Sequence, residues 1–192
     1  MLAKNSNIFL IGPMGSGKTS VGKIVAKALA KEFHDTDQEI EANTGVDISY
    51  VFDVEGETGF RNREEKLVAV ITQKKNIVLA TGGGAIESEN NRRCLANNGF
   101  VIYLETSLED QVLRAKPSRH RPLLQDVEPK KKLQELMQKR KSLYESIADT
   151  IVNTEGYKPH SLAQQVIENF DAHRNSNCLL YTSPSPRDLS TS

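Results

Sequence analysis

The chain of 192 residues has only two cysteines, Cys94 and Cys178, far apart in sequence. This excludes a disulfide scaffold and a cysteine-rich zinc site, and it fits a reducing compartment. Charge of one sign is also missing. The 25 basic and 25 acidic side chains sum to zero. A general binder of nucleic acid or of membrane surfaces carries a basic surplus, so neither class is expected, although a small local positive site stays open. Uncharged stretches such as Asn5 to Gly17 stop well short of the ~20 apolar residues that span a bilayer. Lys4 and the apolar run after it imitate a signal peptide, but no small-residue cleavage site follows and the run ends in a glycine-rich turn. There is no internal repeat. What is present is a hydrophobic fraction of 38% and a charged fraction of 26%, enough to build the core of one domain with an appended segment.

Short continuous apolar runs alternate with helical patterns. Ile8 to Ile11, Ile77 to Ala80 and Val101 to Leu104 read as strands buried on both faces, and Ile151-Val152 as a short late strand. Between them Val21, Ile24, Val25, Ala28 and Leu29 recur at helical spacing, and Leu162, Val166, Ile167 and Phe170 suggest a closing helix. Thr106 to Glu109 reads as a capping box. Alternating strands and helices imply a mainly parallel α/β sheet, whose ligands sit beyond the carboxyl ends of the strands. Functional residues are therefore expected just after Ile11, Phe33 and Ala80. Residues 175–192 differ: they hold one Arg, one Asp, Pro184 and Pro186 and many Ser and Thr. They read as a disordered tail, with translated vector or adapter sequence as one origin and a regulatory or docking tail as the alternative.

Gly12 to Thr19 (Gly-Pro-Met-Gly-Ser-Gly-Lys-Thr) fits G-x-x-x-x-G-K-[ST] after a strand and before a helix. Glycines let the backbone wrap a phosphate with its N–H groups inward, and the helix start adds a positive end. Lys18 can reach the β- and γ-phosphates, and the Thr19 hydroxyl can ligate Mg²⁺. A GTPase switch is the first competitor. Asp53 to Gly56 matches its D-x-x-G, but no N-K-x-D occurs, and a helix end at Gly56 is the simpler account.

Asp35 and Asp37, one residue apart at a strand end, can serve as a magnesium ligand and as a base for a substrate hydroxyl. The alternative is a polar turn with Asp37 capping the next helix. Thr81 to Gly84 puts three glycines after a strand, which suggests a close approach by a ligand or another backbone, or else a flexible loop. Arg61, in a helix opening at Gly59, can clamp a carboxylate or simply pair with Glu65. Arg140 falls on the apolar stripe of Leu133, Leu136, Met137, Leu143, Tyr144 and Ile147, where a charge needs a partner, a site, or a path out to the rim. Arg114 to Arg121 carries four permanent cations and no acid, and Pro117 and Pro122 break the helix there. It can be a lid closing over a nucleotide or a solvated charge run.

Together these motifs resemble the shikimate kinase family over residues 5–170. The match takes in Gly12 to Thr19, Asp35-Thr-Asp37, Gly59-Phe-Arg61 with Glu64-Glu65, Thr81 to Gly84, Arg121-Pro-Leu-Leu124, and Arg140 before Leu143-Tyr144. The resemblance implies a three-layer α/β/α P-loop kinase fold of the nucleoside-monophosphate-kinase type. Its five-stranded parallel sheet would carry a lid (about 114–125) and a substrate-binding helical region, in a kinase domain of residues 1–174. It implies Mg²⁺ and ATP, transfer to the 3-hydroxyl of shikimate in aromatic amino-acid (chorismate) biosynthesis, and a cytoplasmic monomer. Gly15, Ser16, Gly17, Lys18, Thr19, Ser20 and Arg121 would bind ATP, and Thr19 and Asp35 the metal. Asp37, Arg61, Gly83 and Arg140 would bind shikimate, with Lys18, Asp37 and Arg121 catalytic. Gluconate kinase is the nearest rival, and a non-catalytic nucleotide-binding switch the rival of another class. Two departures stand out. The family usually has proline two residues after Arg140, where this chain has Ser142, and where the family often offers a polar or basic side chain to the adenine this chain reads Gly156-Tyr157-Lys158-Pro159, which leaves the adenine contact open.

Overall fold

A computed structural model describes residues 7–114 and 128–181. Arg121, most of the expected lid and residues 182–192 lie outside the described residues. Five strands form the sheet: β1 (Ile8–Ile11), β2 (Glu32–Asp35), β3 (Ile77–Ala80), β4 (Phe100–Glu105) and β5 (Thr150–Asn153). Their order is β2-β3-β1-β4-β5 and every pair is parallel. The helices are α1 (Lys18–Ala28), α2 (Thr36–Thr44), α3 (Ile48–Ile71), α4 (Glu89–Asn98), α5 (Leu108–Arg114), α6 (Pro129–Ile147) and α7 (Pro159–Tyr181).

Strand alternation divides the core in two. Ile8, Leu10, Val78, Ile102 and Leu104 face α1 and α7 with Val21, Val25, Leu162, Val166 and Phe170. Phe9, Ile11, Leu79, Val101 and Tyr103 face the other way, against Val68 of α3, Leu95 of α4 and Tyr144 of α6. Both faces of β1 are thus closed, which is why its sequence is apolar throughout and not alternating. A smaller cluster of Ile40, Ile48, Val51 and Phe60 joins α2 to the start of α3 beside the carboxyl ends of the strands.

Three local expectations change. The first turn of α5 is capped by Ser107, whose Oγ accepts from the Asp110 amide at 3.2 Å. Thr106 is instead buried at the end of β4, so the capping box is displaced by one residue. The helix expected to open at Gly59 starts earlier, at Ile48, and breaks at Gly56 (φ 69°, ψ 179°), so the D-x-x-G match is a helix interruption. At the other end, α7 continues past residue 174 to Tyr181, since no proline follows Pro159 until Pro184. The departure at Ser142 does not interrupt α6, which continues through it to Ile147.

Candidate active site

The switch in strand order lies between β1 and β3, and a cleft of about 340 Å³ opens at their carboxyl ends. It is lined by Gly15, Gly17, Lys18, Thr19, Ser20, Asp35, Asp37, Arg61, Gly83 and Arg140. The structure therefore brings together the expected residues of both substrates, apart from Ser16, which is fully buried under the loop, and Arg121, which is not described.

At one end the loop after β1 turns sharply back. Gly12 (φ 144°) passes so near the end of β4 that a Cβ there would lie 2.5 Å from the Leu104 carbonyl oxygen. A side chain is excluded by backbone that cannot yield. The Lys18 ammonium, buried, donates to the carbonyls of Gly12 (2.8 Å) and Pro13 (2.7 Å) and to Ser16 Oγ (3.3 Å). Gly17 caps α1 without any side-chain bond, and the positive end of the helix dipole lies at the loop. Arg114, at the end of α5, donates to the Gly15 carbonyl at 2.9 Å and ties α5 to the loop.

Thr19 Oγ1 donates to Asp35 Oδ2 at 2.7 Å. Asp35 Oδ1 accepts from the amides of Asp37 (3.0 Å) and Gln38 (3.4 Å), so Asp35, and not Asp37, caps α2. Two hard oxygen donors therefore sit side by side next to the loop, and their chemistry fits a small divalent cation such as Mg²⁺. Asp37 is left to face the cleft, and its pKa is pushed up to about 7. The residue is open to the cleft, but the protein crowded around its carboxyl displaces solvent and contributes most to this, and the carboxylates of Glu64 and Asp35 add to it against Lys18 and Arg61. A carboxyl poised near neutral pH is suited to accepting a hydroxyl proton.

The far end holds two ion pairs, each with one buried member, Glu64 in the first and Arg140 in the second. Arg61 Nη1 bonds Glu64 Oε2 at 2.7 Å, with Glu57 further off at 3.4 Å. The expected partner Glu65 turns the other way, to Ser88 and Asn90, because four residues on from Arg61 the helix has carried it off the buried face. Arg140 is 3% exposed, which rules out a position at the rim. Its Nε and Nη2 both bond Glu87 Oε1 at 2.7 Å. Burial raises the Glu64 pKa, though Arg61 and Arg140 oppose it.

The glycine run is packed by these groups. A Cβ on Gly82 would lie 2.6 Å from Glu64 Oε1 and 2.9 Å from Asp37 Oδ1, which explains the glycine without any flexible loop. The Gly82 amide donates to Thr36 Oγ1 at 2.7 Å, and the Tyr144 hydroxyl donates to the Gly83 carbonyl at 2.5 Å.

The sequence assigns no site role to Glu64, Glu87, Thr36 or Tyr144, and places Arg114 only in the segment expected to form a lid. Glu64 was within reach of sequence reasoning. Phe60, Glu64, Val68 and Ile71 share the buried face of α3, so Glu64 is an acid on an apolar stripe, as Arg140 is a base on one. Glu87 carried no such signal, since its partner lies 53 residues away.

The family profile described as shikimate kinase matches residues 14–171. A shikimate kinase from Shewanella amazonensis is 50% identical over 167 residues, covering 87% of this chain and 98% of that protein. Among solved structures, the shikimate kinase from Acinetobacter baumannii in complex with shikimate is 43% identical, with a TM-score of 0.86 over 88% of this chain and 94% of the other. The shikimate kinase from Aquifex aeolicus is 28% identical, with a TM-score of 0.77 over 88% of this chain and 98% of the other.

Proposed function

The chain belongs to the shikimate kinase family, and we propose that the cleft between the Gly12–Thr19 loop and the Arg61–Arg140 pair is its active site. The enzyme is an ATP-dependent kinase that phosphorylates the 3-hydroxyl of shikimate, giving shikimate 3-phosphate and ADP on the route to chorismate and the aromatic amino acids. One observation carries the assignment of its residues: two arginines, Arg140 buried and Arg61 partly buried, stand across one cleft from a phosphate-binding loop, with a carboxyl of pKa about 7 among the residues between.

In this reading the backbone from Gly15 to Ser20 holds the phosphates, and Lys18 leaves its own loop carbonyls to neutralise the transferring group. Thr19 and Asp35 hold Mg²⁺, which when bound draws charge from the phosphate oxygens. Arg61 and Arg140 take the substrate carboxylate through charge-assisted bonds, and the backbone at Gly83 contacts the ring. Asp37 accepts the proton of the 3-hydroxyl as its oxygen bonds the γ-phosphorus. The bond from that phosphorus to the bridging oxygen breaks, and ADP leaves with the electron pair. Arg121 arrives with the lid to balance charge on ATP. The work is alignment and charge neutralisation, the larger part of catalysis in phosphoryl transfer.

The same reading assigns residues 1–174 to the kinase domain, about 114–125 to the lid, and the rest to a tail outside the activity. It also takes the enzyme as a cytoplasmic monomer, and its two cysteines fit a reducing compartment. No described helix is long and apolar enough to cross a membrane. An ADP-release assay with Mg-ATP and shikimate, gluconate or a nucleoside monophosphate tests the function. We expect release with shikimate alone; equal release without it, or a preference for gluconate, overturns the reading.

A further inference from the structure

Arg140 does not stand alone in the cleft wall. Behind it, a 3₁₀ turn (Ala85–Glu87) follows the glycine run and carries Glu87. The turn is braced from α4: Asn91 donates to the Ala85 carbonyl at 2.9 Å, and Arg92 to the carbonyls of Ile86 (2.7 Å) and Glu87 (3.0 Å). Glu87 Oε1 accepts both Nε and Nη2 of Arg140, and its other oxygen pairs with Lys139. One helical turn further along α6, Tyr144 bonds Gly83 of the same segment. Two contacts four residues apart therefore clasp α6 to the glycine turn.

This geometry separates the two edges of the guanidinium. Glu87 occupies the Nε–Nη2 edge, whereas Nη1 bonds no described residue. Arg140 lines the cleft and Glu87 does not. A carboxylate entering from the cleft therefore meets the opposite edge, and Glu87 has no need to leave. A long side chain held at one edge also loses little rotamer freedom when the other edge binds. We propose that Glu87 is a positioning residue for substrate binding: it holds Arg140 with one guanidinium edge free for the acceptor's carboxylate, and Lys139 offsets its charge. The inference rests on the assignment of Arg140 to that carboxylate.

Steady-state kinetics with shikimate varied at saturating Mg-ATP test it. Glu87→Ala is expected to raise KM for shikimate roughly tenfold, with kcat and KM for ATP changed less than about twofold. Arg140→Ala should raise the same KM further, and the double variant should be no worse than Arg140→Ala alone, because Glu87 acts only through Arg140. Should the alanine variant fail to fold, Glu87→Gln keeps the volume and one acceptor oxygen, and is expected to raise KM about threefold. If Arg140→Ala raises KM while the Glu87 variants leave it unchanged or lower it, Glu87 is inert or a competitor and the proposal falls. Additive losses in the double variant overturn it too, since they mark a general structural effect. If Arg140→Ala itself leaves KM unchanged, the assignment of Arg140 fails first, and the proposal with it.

Discussion

At the phosphate end of the cleft, one unbroken segment from Gly12 to Thr19 supplies the backbone groups, the ammonium and the hydroxyl. At the acceptor end, Asp37, Arg61, Gly83 and Arg140 come from α2, α3, the turn after β3 and α6. The first region needs little from the rest of the protein beyond a strand before it and a helix after it. The second holds buried charges, and each is tolerable only because a partner stands beside it: Glu87, from the turn after β3, for Arg140, and Arg61, from the preceding turn of α3, for Glu64. A site made of backbone dipoles can be local, whereas one made of desolvated ions must be assembled.

Substitutions at the two ends should therefore fail differently. The largest effect belongs to the phosphate end. On the proposed role of Lys18 as charge partner of the transferring phosphate, Lys18→Ala should drop kcat by about 10³-fold or more with the fold intact by circular dichroism. Near-parental kcat would remove Lys18 from that role. At the acceptor end, Arg140→Ala should weaken binding more than chemistry, costing roughly 2–4 kcal/mol in shikimate affinity with kcat less affected. A loss confined to kcat would erase the contrast between the two ends.

The acceptor end should also cost stability, and pH exposes the cost. The native pKa of Asp37, about 7, is above its usual value of 3.8. Between those values the folded state binds more protons than the unfolded one, so this group makes stability fall as pH rises from about 4 to 7. Asp37→Asn should flatten that slope, raising Tm above the parent at pH 8 in metal-free buffer while the two converge near pH 4. Equal Tm values at both pH values would mean that the carboxyl is not desolvated. The smallest effect is expected from Tyr144→Phe, which removes the bond to Gly83 and should lower stability by about 1 kcal/mol. Parental stability in that variant would show that α6 does not depend on this contact.

The contrast also explains what could be read without the fold. The loop, the three buried strands and the amphipathic α1 and α7 follow from spacing along the chain. So does the anomaly of Arg140, a cation on an apolar stripe, though not its remedy. The division of labour between Asp35 and Asp37 came only from the family resemblance and not from spacing, because either can cap a helix until the direction of α2 is known. Arg61 had acids at several helical spacings, and only the packing of α3 against the glycine run selects Glu64 over Glu65. The Ser107 cap was missed by one residue, since Thr106 and Ser107 carry the same hydroxyl chemistry.

By itself the sequence determined a parallel α/β sheet and a loop able to wrap a phosphate. Buried strands and tight phosphate turns require particular residues in a continuous order, and that order is visible in the chain. Only the tertiary structure decided which buried charges share a wall, that Asp37 faces the cleft near neutral pKa, and that Glu87 stands behind Arg140. The strength of an ionic contact depends on what excludes water from it, and here water is excluded by elements far apart in sequence.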